Sequence, residues 1–201
     1  MYINILGDTS WKSGSFEILD KLLDAHYNGW LSIYDYWNVG DVRPIWLGEP
    51  FNEKIEFVLT GKSVYRLQSG QDSAFCVDQV DCLSKEYTIK QIPKTLVIYY
   101  CALPDKFRAL FKTFHRQDFL SPNTYFALRS EYELFGKNIY SESKDDDIKI
   151  TYYADVKNRL KCDPEHTKTM WYWLRSPYAS SRAGFCLVGS SGTAGYSSSV
   201  S

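Results

Sequence analysis

Apolar positions along this chain recur in short blocks whose period changes from one block to the next, and none runs long. In "SFEILDKLLDAHYNG", Phe16, Leu19, Leu22 and Leu23 fall at helical spacing. Ser15 is placed to cap the start and Gly29 lies just past the end, so the spacing predicts an amphipathic packing helix. "KIEFVLTG" alternates instead, with Ile55, Phe57 and Leu59 on one face, the two-residue period of a strand. "TLVIYYC" is β-branched and aromatic, a pattern that fits a strand or the opening of a buried helix equally well. "LPDKFRALFKTFHR" predicts a second amphipathic helix. Pro104 suits its first turn, and Phe107, Leu110, Phe111 and Phe114 form one stripe.

Further on, "SEYELFG" carries Ser130 with Glu133 three residues later, the signature of a capping box, and Gly136 to stop the short helix. "ESKDDDIK" reads as a solvated charged loop; three consecutive aspartates do not converge on one ion. "GFCLVGSSG" reads as a strand, Phe185 to Val188, running into a Gly-Ser turn. Few helices, short strands and long irregular connections together give an α+β fold class.

Composition narrows the setting. The chain has 201 residues, enough for one sizeable core without staples. Lys and Arg number 23 against 24 Asp and Glu, a balance without the basic excess that phosphate binding wants, so no nucleic-acid partner is expected. The N-terminus lacks a basic segment followed by an apolar run, and no apolar stretch nears the ~20 residues of a membrane span. A soluble protein synthesised in the cytoplasm is therefore expected. Cys76, Cys82, Cys101, Cys162 and Cys186 are an odd and scattered set, read mostly as reduced thiols. Cys76 and Cys82 are the one pair read as a candidate disulfide.

Candidate chemistry is sparse. The sequence has no glycine-rich phosphate loop, no GxSxG elbow and no HExxH. His26 and His115 fall near the ends of predicted helices, where a cation suits the dipole. Cys162 and His166 stand at C-x3-H spacing, half of a zinc site with no evident second half, so no metal and no cofactor are expected. Cys186 sits within an apolar strand, a poor setting for a nucleophile. No catalytic residue is assigned, and an enzyme is the least favoured class.

Three stretches then fall into a familiar order. "YWNVGDVRPIWL" (Tyr36 to Leu47), "YFALRSEYELFG" (Tyr125 to Gly136) and "WYWLRSP" (Trp171 to Pro177) resemble, in order and spacing, the bacterial and prophage family DUF6273. "KTLVIYYCALPDKFRALFK" fits the same pattern, an aromatic run followed by "ALP" and an amphipathic helix. The resemblance spans about residues 11 to 198, and "WLRSP" with "SEYELFG" carries most of its specificity. It implies a C-type-lectin-like fold, similar to that of formylglycine-generating enzymes: a single domain with a small antiparallel sheet, flanking helices and long loops. It also implies kinship with the variable proteins of diversity-generating retroelements, whose C-terminal segment is mutagenised to change ligand choice. Two departures stand out. Arg129 replaces the family's usual proline before the helix. The chain also stops at Ser201, before the short apolar segment that usually ends the fold. A truncated chain, or a partner chain or second copy supplying a last strand, would account for that.

On this reading residues 1–35 are an N-terminal helical segment packed on a lectin-like domain, 36–201, that ends in a presentation segment, 178–201. Trp171 and Trp173 alternate with Tyr172, so both are expected to sink into the base. Arg175 is then a buried cation in need of a carboxylate, and Glu131 or Glu133 on the capped helix is the expected partner. Past Pro177 the residues turn small or amphipathic: Tyr178, Ser180, Ser181, Arg182, Ser190, Ser191, Thr193, Tyr196 and Ser198. That is the palette of an adaptable binding surface, broad rings with adjustable hydroxyls. The expected function is a non-catalytic, phage- or prophage-related display module with a carbohydrate or protein ligand on a cell surface. The alternative is an assembly component that uses the same surface to oligomerise, and a virion-associated location fits either reading.

Overall fold

A computed structural model describes residues 7–112, 126–142, 148–181 and 183–197. Contacts divide the chain into two units: residues 1–79 with 100–115, and residues 80–99 with 116–201.

In the first unit, helix α1 (Phe16–Tyr27) buries Leu19, Leu22, Leu23 and Ala25, and the Ser15 hydroxyl accepts the Ile18 N–H at its start. Strands β1 (Val42–Leu47), β2 (Glu53–Lys62) and β3 (Phe75–Gln79) form an antiparallel sheet in that order. Ile55, Phe57 and Leu59 of β2 are buried, as their alternation predicts. The core is aromatic: Phe107 is fully enclosed, its ring 5.2 Å from Phe57, 5.8 Å from Phe16 and 6.1 Å from Trp11.

Helix α2 (Ile92–Ala102) carries the chain from the second unit back to the first, so "TLVIYYC" takes the helical option. The helix expected from Pro104 onward is much shorter than its periodicity suggests. Among the described residues of that stretch only α3 (Asp105–Arg108) forms, with Pro104 in the capping position and a turn at Ala109–Leu110. Past Arg108 the backbone tightens, the Leu110 N–H donating to the Phe107 carbonyl and the Phe111 N–H to the Arg108 carbonyl, while Phe111 still stands edge-on to Phe107 at 5.1 Å. Phe114 lies outside the described residues.

The second unit holds helix α4 (Glu131–Phe135), a minimal hairpin of β4 (Lys161–Cys162) and β5 (Thr169–Met170), and a second antiparallel sheet. That sheet runs β6 (Tyr172–Pro177), β7 (Phe185–Val188), β8 (Ala194–Ser197). Ile89, Ile92 and Phe185 are buried together, with Leu96, Leu128 and Trp173 against them, so the "WYWLRSP" strand and "GFCLV" strand share a core with the start of α2. All five cysteines, Cys76 and Cys82 included, are free thiols.

Candidate functional site

The site is organised by the single turn and a half of α4. Its capping box is complete: the Ser130 hydroxyl accepts the Glu133 N–H at 3.1 Å, and Glu133 Oε2 accepts the Ser130 N–H at 2.9 Å. Gly136 closes the helix in the left-handed region, where a side chain would be strained. Both glutamates of the turn point inward and are completely buried. A buried carboxylate survives only with donors around it, and each glutamate has found a different set.

Glu133 meets Arg175 of β6. Arg175 Nη1 donates to Oε2 at 2.8 Å and Nη2 to Oε1 at 2.7 Å, the parallel two-bond geometry that suits a planar guanidinium. Nη1 also donates to the Leu128 carbonyl at 2.7 Å, and the Arg175 N–H to the Arg129 carbonyl at 2.9 Å. Of the two glutamates expected as partners, Glu133 is the one that pairs. Glu131 has another task. Its carboxylate accepts the N–H groups of Ile139, Tyr140 and Ser141 at 3.0, 3.0 and 2.8 Å, and the Ser141 hydroxyl at 2.7 Å. This is a side-chain anion held in a nest of successive backbone donors. Its own N–H donates to the Ser176 hydroxyl at 2.8 Å.

The fixed loop 139–141 clips onto the end of β6. The Tyr140 carbonyl accepts the Ala179 N–H at 2.9 Å, and Ser141 makes an antiparallel bridge to Tyr178. Three tyrosines meet as a result. Tyr178 and Tyr196 stack at 4.0 Å with their planes 15° apart, and Tyr140 lies 4.9 Å from Tyr196. Tyr196 is 46% exposed, while Tyr140 and Tyr178 are half-buried. The hydrogen bond with Tyr178 holds the Tyr196 phenol above its ordinary range. Gly184 makes the stack fit: a Cβ there would stand 2.5 Å from the Ser197 carbonyl oxygen and 3.1 Å from Tyr178 Cβ.

Among the described residues, those named from the sequence fall into two groups at opposite ends of the sheet. Tyr178, Ser180 and Ser181 occupy the β6–β7 turn, and Tyr196 lies on β8 opposite Cys186. Ser190, Ser191 and Thr193 occupy the β7–β8 turn, at the far end of the sheet. The four residues of β7 separate the two groups, roughly 13 Å of strand. There the Ser191 and Thr193 hydroxyls bond each other at 2.9 Å, and Arg159 Nε donates to the Gly192 carbonyl at 3.0 Å. Antiparallel pairing puts successive turns at opposite ends, which sequence adjacency conceals. Arg182 and Ser198 lie outside the described residues. The tryptophans also depart from expectation. Trp173 is half-buried in the core, but Trp171 is 46% exposed and meets Trp173 edge-on at 5.1 Å. Their rings share a contact, yet only the inner one has core beneath it.

Two residues that matter carry no local sequence signal as ligand-facing groups or as donors. Tyr140 comes from a loop far upstream of Tyr178, and no local pattern marks it. Asp81 joins Cys162 and His166, bringing a carboxylate to the thiol and imidazole. Cys186 is buried, and burial first and the Glu131 charge second push its thiol up to about 12. It stays protonated at neutral pH, without nucleophilic character.

The described residues thus make a mixed α/β protein of small antiparallel sheets and few helices. Residues 123–201 match the family model of the domain of unknown function DUF6273, and the family label drawn from the sequence motifs holds over that stretch. It contains α4, the Arg175 strand and the sheet bearing Tyr178 and Tyr196; "YWNVGDVRPIWL" lies outside it. Neither the curated proteins nor the solved structures gave a match. Among the described residues, no helix is long and apolar enough to cross a membrane.

Proposed function

We propose that this protein is a non-catalytic ligand-binding module of C-type-lectin-like type, related to phage or prophage display proteins. Its binding face is the cluster of Tyr140, Tyr178 and Tyr196, bordered by Ser180 and Ser181. The observation that carries this is the stacked pair Tyr178–Tyr196, with Tyr196 exposed and Tyr178 bridged by Ser141 of the loop that Glu131 holds. Rigid rings with hydroxyl tips offer a flat apolar area and hydrogen bonds at little entropic cost. Such a face suits a sugar ring or a protein surface patch, by stacking and hydrogen bonding, on a host or neighbouring cell.

The test is binding of the labelled protein to bacterial cells and a glycan panel. A Tyr178→Ala/Tyr196→Ala variant is expected to lose binding. A Ser190→Ala/Ser191→Ala/Thr193→Ala variant, altered at the far end of the sheet, is expected to keep it. Equal binding by the tyrosine variant and the parent would sink the reading. A second reading, an assembly component, is favoured by one feature: among the described residues no strand pairs with the outer edge of β8. An open edge is a template for strand addition. A stable oligomer by light scattering that falls apart on Tyr196→Pro would support it.

A further inference from the structure

Three donor atoms that neither the tyrosine face nor the glutamate network uses converge at the β4–β5 hairpin. A carboxylate oxygen of Asp81, the Cys162 sulfur and an imidazole nitrogen of His166 all lie within 4.8 Å of one another. Backbone bonds fasten the hairpin to the segment that carries Asp81. The Cys82 N–H donates to the Cys162 carbonyl at 2.9 Å, and the Cys162 N–H donates to Asp81 Oδ1 at 2.8 Å. That second bond engages one carboxylate oxygen and leaves Oδ2 facing His166 Nε2 at 3.6 Å. His166 arrives there because the hairpin loop folds back on itself. Its N–H donates to the Asp163 carbonyl at 2.9 Å, the Asp163 carboxylate accepts from Thr167 and Lys168, and the His166 backbone stands at φ 55°. A left-handed backbone is uncommon outside glycine, so the loop holds this imidazole in place against a local preference.

We propose that Asp81, Cys162 and His166 bind one divalent transition-metal ion of the zinc class, with solvent or a ligand atom in the fourth position. The donor set gives the class of ion. Thiolate and imidazole select zinc-like ions, whereas magnesium and calcium take oxygen donors. The distances favour a shared ion over a plain ion pair. At 3.6 Å the His166–Asp81 contact is too long for a direct hydrogen bond. Two donors on one tetrahedral zinc, each about 2.0–2.1 Å from it, stand about 3.4 Å apart. A Cys–His–Asp catalytic relay would place the imidazole between thiol and carboxylate; here the three atoms close a triangle. Lys161, the cation next to Cys162, is directed elsewhere, donating to the Val80 carbonyl at 3.1 Å and lying over the Tyr172 ring at 5.3 Å. Asp81 and Cys162 are half-buried and His166 is exposed, so the ion has a path in from solvent. Its consequence is structural: it pins the hairpin to a segment 81 residues upstream.

The experiment uses the full chain, kept reduced with a phosphine, stripped with a chelator and titrated with cobalt(II) chloride. A single equivalent is expected to give a thiolate-to-cobalt charge-transfer band with the intense visible absorption of a four-coordinate ion, and zinc is expected to displace it. Cys162→Ser removes the charge-transfer band, Cys82→Ser keeps it, and His166→Ala weakens binding at least about tenfold. Circular dichroism of each variant checks that the fold is kept, and the exposed His166 is the position where it is safest. A weak six-coordinate spectrum without the charge-transfer band would overturn the proposal. So would a band that survives Cys162→Ser or disappears with Cys82→Ser.

Discussion

Arg175 ties β6 to α4 through a buried ion pair with Glu133. Its guanidinium side chain is 3% exposed and its partner carboxylate 0%, so neither charge can fall back on water. Arg175→Met leaves Glu133 buried without its cation, and we expect a loss of about 3–5 kcal/mol in urea denaturation. Glu133→Gln separates the ion pair from the helix cap. Glutamine still satisfies the capping box through its carbonyl oxygen, so the helix start is kept while the charge is lost. If the pair and not the cap dominates, Glu133→Gln costs nearly as much as Arg175→Met, and the double variant costs less than the two added together. Simple additivity in that cycle would show that the two side chains act independently.

At the scale of the element, α4 does the work of a much longer helix because both of its inward carboxylates are structural connectors. One turn fixes β6 through Glu133 and the 139–141 loop through Glu131. Glu131→Gln keeps the volume but turns an amide NH₂ toward backbone N–H groups that need an acceptor. Hydrogen bonds to a charged group are worth about 1.5–3 kcal/mol each, so a destabilisation of at least about 2 kcal/mol is expected. Because the same loop carries Tyr140, this variant should also weaken ligand binding while Tyr178 and Tyr196 are unchanged. A Glu131→Gln protein as stable as the parent would contradict the role given to the nest. The unequal fate of the two tryptophans belongs to this scale as well. Trp173 lies on β6 while Trp171 precedes it, and the neighbouring elements cover only the ring on the strand.

For the whole molecule, the shifted acids point to an alkaline weakness. Cys186 titrates at about 12 in the folded protein, against an ordinary value of 9.0, because burial and the Glu131 charge oppose the thiolate. The folded state therefore keeps its proton where the unfolded chain has lost it. Stability is full below about pH 9 and falls as pH rises toward about 12. Tyr27 and Cys82, both raised by burial, act in the same direction. Urea midpoints measured from about pH 8 to about pH 11 should decline, and Cys186→Ala should flatten the decline. A thiol reagent at neutral pH should label the exposed Cys101 quickly and Cys186 only on unfolding. Rapid labelling of Cys186 in the folded protein would show that its strand opens.

What the sequence determined by itself was local and periodic. Ser15 and Ser130 as caps, Gly136 as a stop, the alternation of Ile55, Phe57 and Leu59, and the Phe185–Val188 strand all follow from neighbours within a few residues. Even the need of Arg175 for a carboxylate was legible, since a guanidinium inside an apolar motif cannot stay unpaired. Tertiary structure decided everything that depends on which end of an element meets which other element. It chose Glu133 over Glu131, stopped α3 after one turn, and sent Ser190, Ser191 and Thr193 to the opposite end of the sheet from Tyr178. It also brought Tyr140 to Tyr196 and Asp81 to Cys162 and His166. These juxtapositions leave no mark on sequence spacing, because they arise from antiparallel pairing and buried charge satisfaction between distant segments, not from the propensities of neighbouring residues.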